Sequence, residues 1–578
     1  MKKTFLTGIL FLSVFSSKIL SNTLDQAYFQ LAQTLKESNQ EQDALVYLEK
    51  AVAHNPGHAQ ALYQLGMHWY AQDIPQAYNY LERSCAVDFH NAHALLHAGI
   101  CAMALQQFDK AIEYYQQTIA LNPNDPKAHF LLGNAYTKQK NFAQAIKEFR
   151  ITLELSSDSA DALLCLANAL RDNHELDACM EQYEKALLLD HSNQKILFEK
   201  AHALVMRADI EQAHALYQEL YVQNATSPIL LYNMAHLYKK MHKYDDAITL
   251  YQKILNTCPN FHQIHLACAQ AYLAAGCYYQ GFQELALSTK SHITEKPMLE
   301  SLAQAKDKKV LITASWNNED MIQLLRFISP LKEAGAWVIL QADNQLAPLL
   351  ALCPFIDQVI TFDTKHIPYF DFHISMLSLP SLCVTNENTL APYKNYITIP
   401  SAYTAQWQSK IAISKDRMRI GVYWKCQEKY YNSAEDKNIS FDIVSQLAQK
   451  TYIDCYALQQ PDAQELNQLS ANSTLTVISK NISPETNIIQ FCALMNTLDI
   501  IITHDSLVAH LAGAMNKTTL LIVPKFYEWR WVAQENQSCF YPSVYIIHNT
   551  QSDAEQLVFR IMECIGKYSR ENNCGIIA

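Results

Sequence analysis

The chain has 578 residues, 49% hydrophobic and 17% charged, a globular balance that excludes a disordered polymer. Its net charge of -11, with no Lys/Arg-rich run, would repel a phosphate backbone and excludes nucleic acid as the expected partner. Glycine is scarce, at 12 residues, so there is little material for Gly-rich phosphate loops. The 15 cysteines show neither C-x-x-C spacing nor a Cys/His zinc cluster, and they read as reduced, mostly buried thiols of a reducing compartment.

The N-terminus points the other way. Lys2 and Lys3 precede an apolar stretch, Thr4 to Phe15, and then Ser16-Ser17. Residues 1–21 therefore have the plan of a secretory signal peptide, although Lys18-Ile19-Leu20 makes a poor cleavage site. The apolar run is too short for a transmembrane helix, and no other segment reaches that length.

From Asn22 to Thr289 the sequence repeats with a period near 34. Small residues lie at Ala32, Gly66, Gly99, Gly133, Ala167, Ala201, Ala235 and Ala269, in steps of 34 except for one of 33 between Gly66 and Gly99. A second small residue follows twelve positions on at Ala44, Ala111, Ala145, Cys179, Ala213, Ala247 and Gly281, and eleven on at Ala77. Four further on stands a ring at Tyr115, Phe149, Tyr183, Tyr217 and Tyr251. Pro56, Pro123 and Pro259 close three of the repeats. Small residues let two helices approach and rings fill the adjacent gap, so stacked pairs build a core that one pair could not. The pattern resembles the tetratricopeptide (TPR) repeat, in eight copies over residues 22–295. That resemblance implies an all-α solenoid whose groove, lined by the first helix of each pair, takes a protein or peptide. The histidines here, such as His129 and His191, are isolated and read as structural.

After Lys296 the pattern becomes short β-rich runs alternating with amphipathic segments. Strands are predicted at Val310–Ala314, Trp337–Gln341, Gln358–Phe362 and Phe372–Met376. After a linker near Ala402–Lys415 come Arg419–Trp424, Asp454–Leu458, Thr474–Ile478, Ile500–Thr503, Thr519–Val523 and Val544–Ile547. Helices are predicted at Met321–Glu333, Phe441–Ala448, Ile488–Asn496, Leu507–Met515 and Ala554–Ile565. Such alternation predicts parallel sheets in two Rossmann-like lobes, residues 308–405 and 416–570, with ligands at the carboxyl ends of strands.

The strongest local feature runs from Leu498 to Ala514: a buried strand ends in His504-Asp505-Ser506 and a helix begins at once. Asp505 or Ser506 is a natural N-cap, and the first-turn amides suit a phosphate. The three adjacent side chains cannot form a Ser-His-Asp triad. Asp505-Ser506-Leu507-Val508-Ala509-His510-Leu511-Ala512-Gly513-Ala514 resembles the D-T-A-V-A-H-L-A-G-A donor stretch of family 9 glycosyltransferases, the group that includes heptosyltransferases, in the branch where TPR repeats precede the domain. Glu528-Trp529-Arg530-Trp531 with Phe540-Tyr541-Pro542-Ser543, Tyr456-Ala457-Leu458-Gln459, and Ile322-Gln323, Arg326-Phe327 and Gly335-Ala336 carry the likeness across most of residues 308–566. It implies a GT-B fold with a nucleotide-diphosphate sugar between the lobes. The family's G-L-G-D reads Asn317-Asn318-Glu319-Asp320 here, its W-x-G-N-P reads Trp424-Lys425-Cys426-Gln427-Glu428, and its R-N-R-S reads Lys437-Asn438-Ile439-Ser440.

By that resemblance, Asp320 is the base for an acceptor hydroxyl. Asp505, Ser506, His510 and Gly513 belong to the donor site, and Lys425, Lys437, Asn438 and Ser440 neutralise the diphosphate. No D-x-D pair stands at a strand end, so neither metal nor cofactor is expected. The alternative is a non-catalytic TPR scaffold with a degenerate transferase domain. It draws on the lost glycines, which would set a Cβ where phosphate approaches, and on the lost arginine contact. The catalytic signatures of TPR transferases of the O-linked N-acetylglucosamine type are absent. An active transferase would work in the cytoplasm, where nucleotide sugars are made, whereas a cleaved signal peptide would export the protein away from its donor.

Overall fold

The computed structural model describes residues 24–289, 296–314, 317–384, 395–411, 417–425, 438–469, 475–478, 483–524, 529–534, 536–549 and 554–571. The signal-like segment, Cys426–Glu428, Lys437 and Glu528 lie outside the described residues. The chain divides into two compact units, Met1–Leu230 and Leu231–Ala578.

Among the described residues the first part of the chain is sixteen helices in sequential pairs, from Leu24–Glu37 with Glu41–His54 to His262–Ala274 with Tyr278–Leu287. The all-α TPR solenoid is thus present, with six pairs in the first unit. The small residues do what their spacing suggests. A Cβ added to Gly99 would lie 2.5 Å from the Tyr115 ring, and one on Gly133 would lie 2.6 Å from Phe149. Where a repeat lacks the ring, leucine fills the seat: Leu81 faces Gly66, and Leu48 and Leu285 hold the same position in their repeats, both buried. His129 is buried with both ring nitrogens bonded, Nδ1 2.7 Å from Glu148 Oε2 and Nε2 3.1 Å from the Pro123 carbonyl. His265 repeats the arrangement with Glu284 and the Pro259 carbonyl.

The turn inside each pair explains the odd step of the repeat. Asn39, Gln106, Lys140, His174, Ala208, His242 and Gly276 all have positive φ. Each stands seven residues after the first small residue of its repeat. The following amide then reaches back to close the first helix, as Gln107 N does to Ala102 O and Asp209 N to Leu204 O, the Schellman pattern. The second repeat has no such residue after Gly66. It is the left-handed residue that is missing there, and its absence makes that repeat one residue short.

The second unit contains the last two pairs of the solenoid and an α/β region with two sheets. The first sheet is all parallel in the order β3-β2-β1-β4, with β1 Lys309–Thr313, β2 Trp337–Ala342, β3 Gln358–Thr361 and β4 Phe372–Ser375. The second has eight strands in the order β10-β11-β12-β9-β8-β5-β6-β7. Its parallel strands are β5 Met418–Tyr423, β6 Ile453–Ala457, β7 Thr476–Val477, β8 Ile500–His504, β9 Thr519–Pro524 and β12 Val544–Asn549. β10 Ala533–Gln534 and β11 Gln537–Ser538 add an antiparallel edge that the sequence pattern did not suggest. This is the α/β, GT-B-like part of the multidomain chain.

Period-2 alternation sorts side chains between cores. Ile500 and Ile502 of β8 pack under the helix Ala554–Glu571 side with Ile561 and Ile565, while Ile501 faces the other way. That other core is continuous: it runs from Leu273 and Phe282 of the last helix pair through Ile322 and Phe327 to Val508, Trp531 and Tyr541. Phe282 meets Phe327 edge-on at 5.5 Å, and Tyr278 meets Phe540 at 5.7 Å.

Three expectations are corrected. The stretch Met321–Glu333 is not one helix but Asn318–Leu324, a 3-10 turn Leu325–Phe327, and Ile328–Glu333. Pro330 lacks an N–H and its ring would clash with the carbonyl of Arg326, so the α-helix cannot run through. The linker near Ala402–Lys415 contains the helix Ser401–Gln408, anchored by buried Trp407, whose Nε1 donates to Gln490 Oε1 at 2.8 Å. The strand at Thr474–Ile478 is reduced to Thr476–Val477.

Left-handed backbone at a Cβ-bearing residue costs about 1 kcal/mol or more. Ala208, at φ 67°, is therefore expected to gain roughly 1 kcal/mol on substitution by glycine. A raised urea midpoint for Ala208→Gly checks this, and an unchanged or lowered midpoint refutes it.

Candidate functional site

The site is assembled at the carboxyl end of β8, the strand lying between β5 and β9. All five residues of β8 are buried. At its end the chain turns through Asp505 and Ser506 into the helix Leu507–Ala514. Ser506 stands at the N-cap position but does not cap: its Oγ donates to the His504 carbonyl at 3.0 Å and lies 3.2 Å from Thr503 Oγ1. The helix thus starts without a side-chain cap, so Ser506 satisfies none of its first-turn amides. Asp505, also buried, accepts from Trp531 Nε1 at 2.7 Å.

His510 and Gly513 sit deeper. His510 is fully buried, with Nδ1 2.9 Å from the Tyr541 hydroxyl and its ring 4.6 Å from that of Trp531. A Cβ on Gly513 would lie 2.5 Å from the Tyr541 ring, so glycine here seats that tyrosine. Burial holds the Tyr541 hydroxyl well above the usual phenol range and keeps it a neutral hydrogen-bonding group.

The first lobe meets this cluster directly, its helix Asn318–Leu324 packing on Leu507–Ala514. Asp320 Oδ1 receives Arg530 Nε at 2.8 Å and Nη2 at 2.6 Å, an ion pair with both side chains largely buried. Glu319, buried beside it, brings a carboxylate oxygen to within 4.8 Å of ligand atoms of Asp505 and His510.

One residue of the first lobe ties these pieces together. Arg326, 2% exposed, donates Nε to the Gln323 carbonyl at 2.9 Å, Nη1 to the Phe540 carbonyl at 2.5 Å and Nη2 to the Tyr396 hydroxyl at 3.2 Å. Its guanidinium also lies 4.8 Å from the Tyr541 ring centroid and 5.1 Å from that of Tyr396. A planar, weakly hydrated cation is the group suited to such a seat.

The residues expected at the diphosphate are differently placed. Lys425 is half-exposed, and its Nζ lies 2.8 Å from Asp462 Oδ2 and 3.5 Å from Glu465 Oε1. The hydrogen bond to Asp462 raises its pKa and keeps it charged. The backbone there is fixed by Gln459, whose Oε1 accepts the amides of both Trp424 and Lys425, which is the part the Tyr456–Gln459 strand end plays. Ser440 caps the helix Phe441–Ala448 by accepting from Asp442 N. Asn438 precedes that cap, and Lys437 lies outside the described residues.

The structure therefore brings together Asp320, Asp505, Ser506 and His510, with Gly513 supporting them. Sequence reading gave no role to Glu319, Arg326, Arg530, Trp531 or Tyr541. Arg326 and Arg530 could have been flagged as charged residues between apolar neighbours, Glu319 stands in the polar run Asn317–Asp320 that gives no such signal, and Trp531 and Tyr541 stand in the quoted aromatic motifs.

Family models match both the repeats and the α/β region. Tetratricopeptide-repeat models match residues 25–58, 96–160 and 228–261, and the glycosyltransferase family 9 (heptosyltransferase) model matches residues 437–522. The latter includes Asp505, Ser506, His510 and Gly513 but ends before Arg530. No curated protein matches significantly. Similar solved structures include PilF of Pseudomonas aeruginosa, 21% identical over 35% of this chain and 93% of that one, with a TM-score of 0.29. A tetratricopeptide repeat protein from Parabacteroides merdae is 16% identical over 42% and 97%, with a TM-score of 0.34. A MamA fragment from Desulfovibrio magneticus is 19% identical over 29% and 96%, with a TM-score of 0.27. Among the described residues no helix is long and apolar enough to cross a membrane, and 13 cysteines are free.

Two substitutions test the seam. Arg326→Lys keeps the charge but loses the fork of bonds and the ring stacking, and should cost about 3 kcal/mol in stability. Arg530→Met strands the buried Asp320 carboxylate and should cost about 3–5 kcal/mol, with Asp320→Asn in the same chain recovering part of it. Denaturant midpoints read by tryptophan fluorescence check both, and values within 0.5 kcal/mol of the parent (about the scatter of neutral substitutions) would refute them.

Proposed function

We propose that this chain, a TPR-repeat protein with a C-terminal family 9 glycosyltransferase domain, transfers a sugar from a nucleotide-diphosphate donor to an acceptor held by or near a protein that docks in the TPR groove. The protein-binding character belongs to the repeats and the transferase ancestry to the domain. The observation carrying the reading is the ion pair between Asp320 and Arg530, 210 residues apart, which joins the helix of the candidate base to the 3-10 turn Trp529–Trp531 of the other lobe.

In this reading the diphosphate lies at the uncapped start of helix Leu507–Ala514, beside Asp505 and Ser506, where the helix dipole and first-turn amides stabilise the departing nucleotide. Asp320 takes the proton of the acceptor hydroxyl as that oxygen forms its bond to the anomeric carbon, and the bond from that carbon to the nucleoside diphosphate breaks. Arg530 positions the carboxylate. Lys425, Lys437, Asn438 and Ser440 complete the charge balance around the phosphates, Lys425 after exchanging its acidic partners for phosphate oxygens. The cytoplasm supplies such donors.

One observation favours the non-catalytic scaffold. Lys425 is already neutralised by Asp462 and Glu465. Binding of ADP- and UDP-sugars to the full chain separates the two readings. The transferase reading expects saturable binding weakened by Ser506→Ala, and donor turnover reduced about 10²–10⁴-fold by Asp320→Asn with donor affinity kept. Absence of binding to any nucleoside diphosphate sinks it, and binding with turnover indifferent to Asp320→Asn removes Asp320 as the base.

A further inference from the structure

We infer that Glu319, Asp505 and His510 form a divalent-cation site at the seam between the two lobes, with one ligand from the first lobe and two from the second. Each offers one ligand atom, these atoms lie within 4.8 Å of one another, and all three residues are buried. Two carboxylate oxygens and one imidazole nitrogen make a mixed donor set suited to Mn²⁺, Zn²⁺ or Fe²⁺ rather than to the all-oxygen cages of Ca²⁺. Bonds of about 2.1 Å set tetrahedral ligands about 3.4 Å apart, so the three atoms need to close by at most about 1.4 Å.

The surroundings have the features that a ligand shell needs. The Tyr541 hydroxyl, 2.9 Å from His510 Nδ1, fixes the ring and assigns ligation to Nε2, and Trp531 Nε1 holds the Asp505 carboxylate through Oδ1. One helical turn beyond Glu319, on the same face of Asn318–Leu324, stands Gln323. It is fully buried, and among the described residues neither its Oε1 nor its Nε2 has a hydrogen-bond partner. A buried amide with both ends unsatisfied costs stability unless an unseen polar species, such as a water of a bound cation, meets it. Glu319 and Asp505 are the two carboxylates that a dication would bridge. No local motif could reveal this site, because Glu319 and Asp505 lie on different lobes.

The inference stands apart from the donor reading and is tested on the full chain, stripped with chelator and titrated with Mn²⁺. One equivalent is expected per chain. Glu319→Gln and Asp505→Asn should each weaken binding at least about 100-fold, whereas Glu333→Gln, at an exposed position, should not. Binding unchanged by both seam variants overturns the inference, as does failure of Mn²⁺, Zn²⁺ and Co²⁺ to bind at all. Should either variant lose its far-ultraviolet circular dichroism, the unmutated chain labelled with ¹⁵N-histidine decides. Imidazole nitrogen coupling in the Mn²⁺ electron paramagnetic resonance of the one-equivalent complex supports the site, and its absence overturns it. Nucleotide binding, measured with and without cation, keeps the questions separate. Cation uptake without nucleotide binding removes only the donor reading, and nucleotide binding by a chain that takes up no cation removes only the cation site.

Discussion

The α/β half depends on a guanidinium that has left water. Taking a charge out of solvent costs several kcal/mol, and Arg326 recovers this by giving each of its three nitrogens a partner and by lying among aromatic faces. Its partners come from different parts of the chain: Gln323 beside it, Tyr396 further along, Phe540 and Tyr541 from the other lobe. The cation therefore fixes how the first lobe's kinked helix meets the second lobe's closing segment. Tyr541, held there, in turn orients His510 and requires glycine at 513.

Two acids of the site stand on the helix that leads into Arg326. Asp320 and Glu319 are neighbours on one short helix yet face opposite kinds of partner, Asp320 a cation and Glu319 another acid and an imidazole. Adjacent residues on a helix are about 100° apart, so one turn can serve two separate tasks. The Asn317 side chain caps that turn by accepting from Glu319 N at 2.8 Å, which holds both acids in place although the family's glycines are absent.

The solenoid was legible because its information is local and repeated. A small residue, a second small residue and a large one recur at fixed offsets, and burial punishes any departure. The parallel strands were legible for a similar reason: fully buried β-branched runs such as Ile500–Ile502 admit few other readings, and their ends fall within a residue or two of expectation. The turns were not legible. Gln106, Lys140 and Ala208 are ordinary residues, and nothing in their chemistry announces left-handed backbone. The helix Ser401–Gln408 escaped because only Trp407 of it is buried, so no apolar stripe forms. The site was half legible. Asp505, Ser506 and Asp320 stand in recognisable stretches, but the pairing of Asp320 with Arg530 joins points 210 residues apart, and such a contact has no periodicity to read.

The left-handed turns bear on how the array behaves as a linear system. Six of the seven such linkers carry a Cβ, so six of the eight helix pairs store strain that each would release by coming apart alone. Stability in a stacked array is the sum of what each unit contributes and what each neighbour-to-neighbour interface returns. Penalising the unit while preserving the interface shifts that sum toward coupling. Isolated pairs are then poor intermediates, and melting spreads in blocks rather than one repeat at a time. A groove built on such an array presents its surface as an extended whole or loses it over several repeats together.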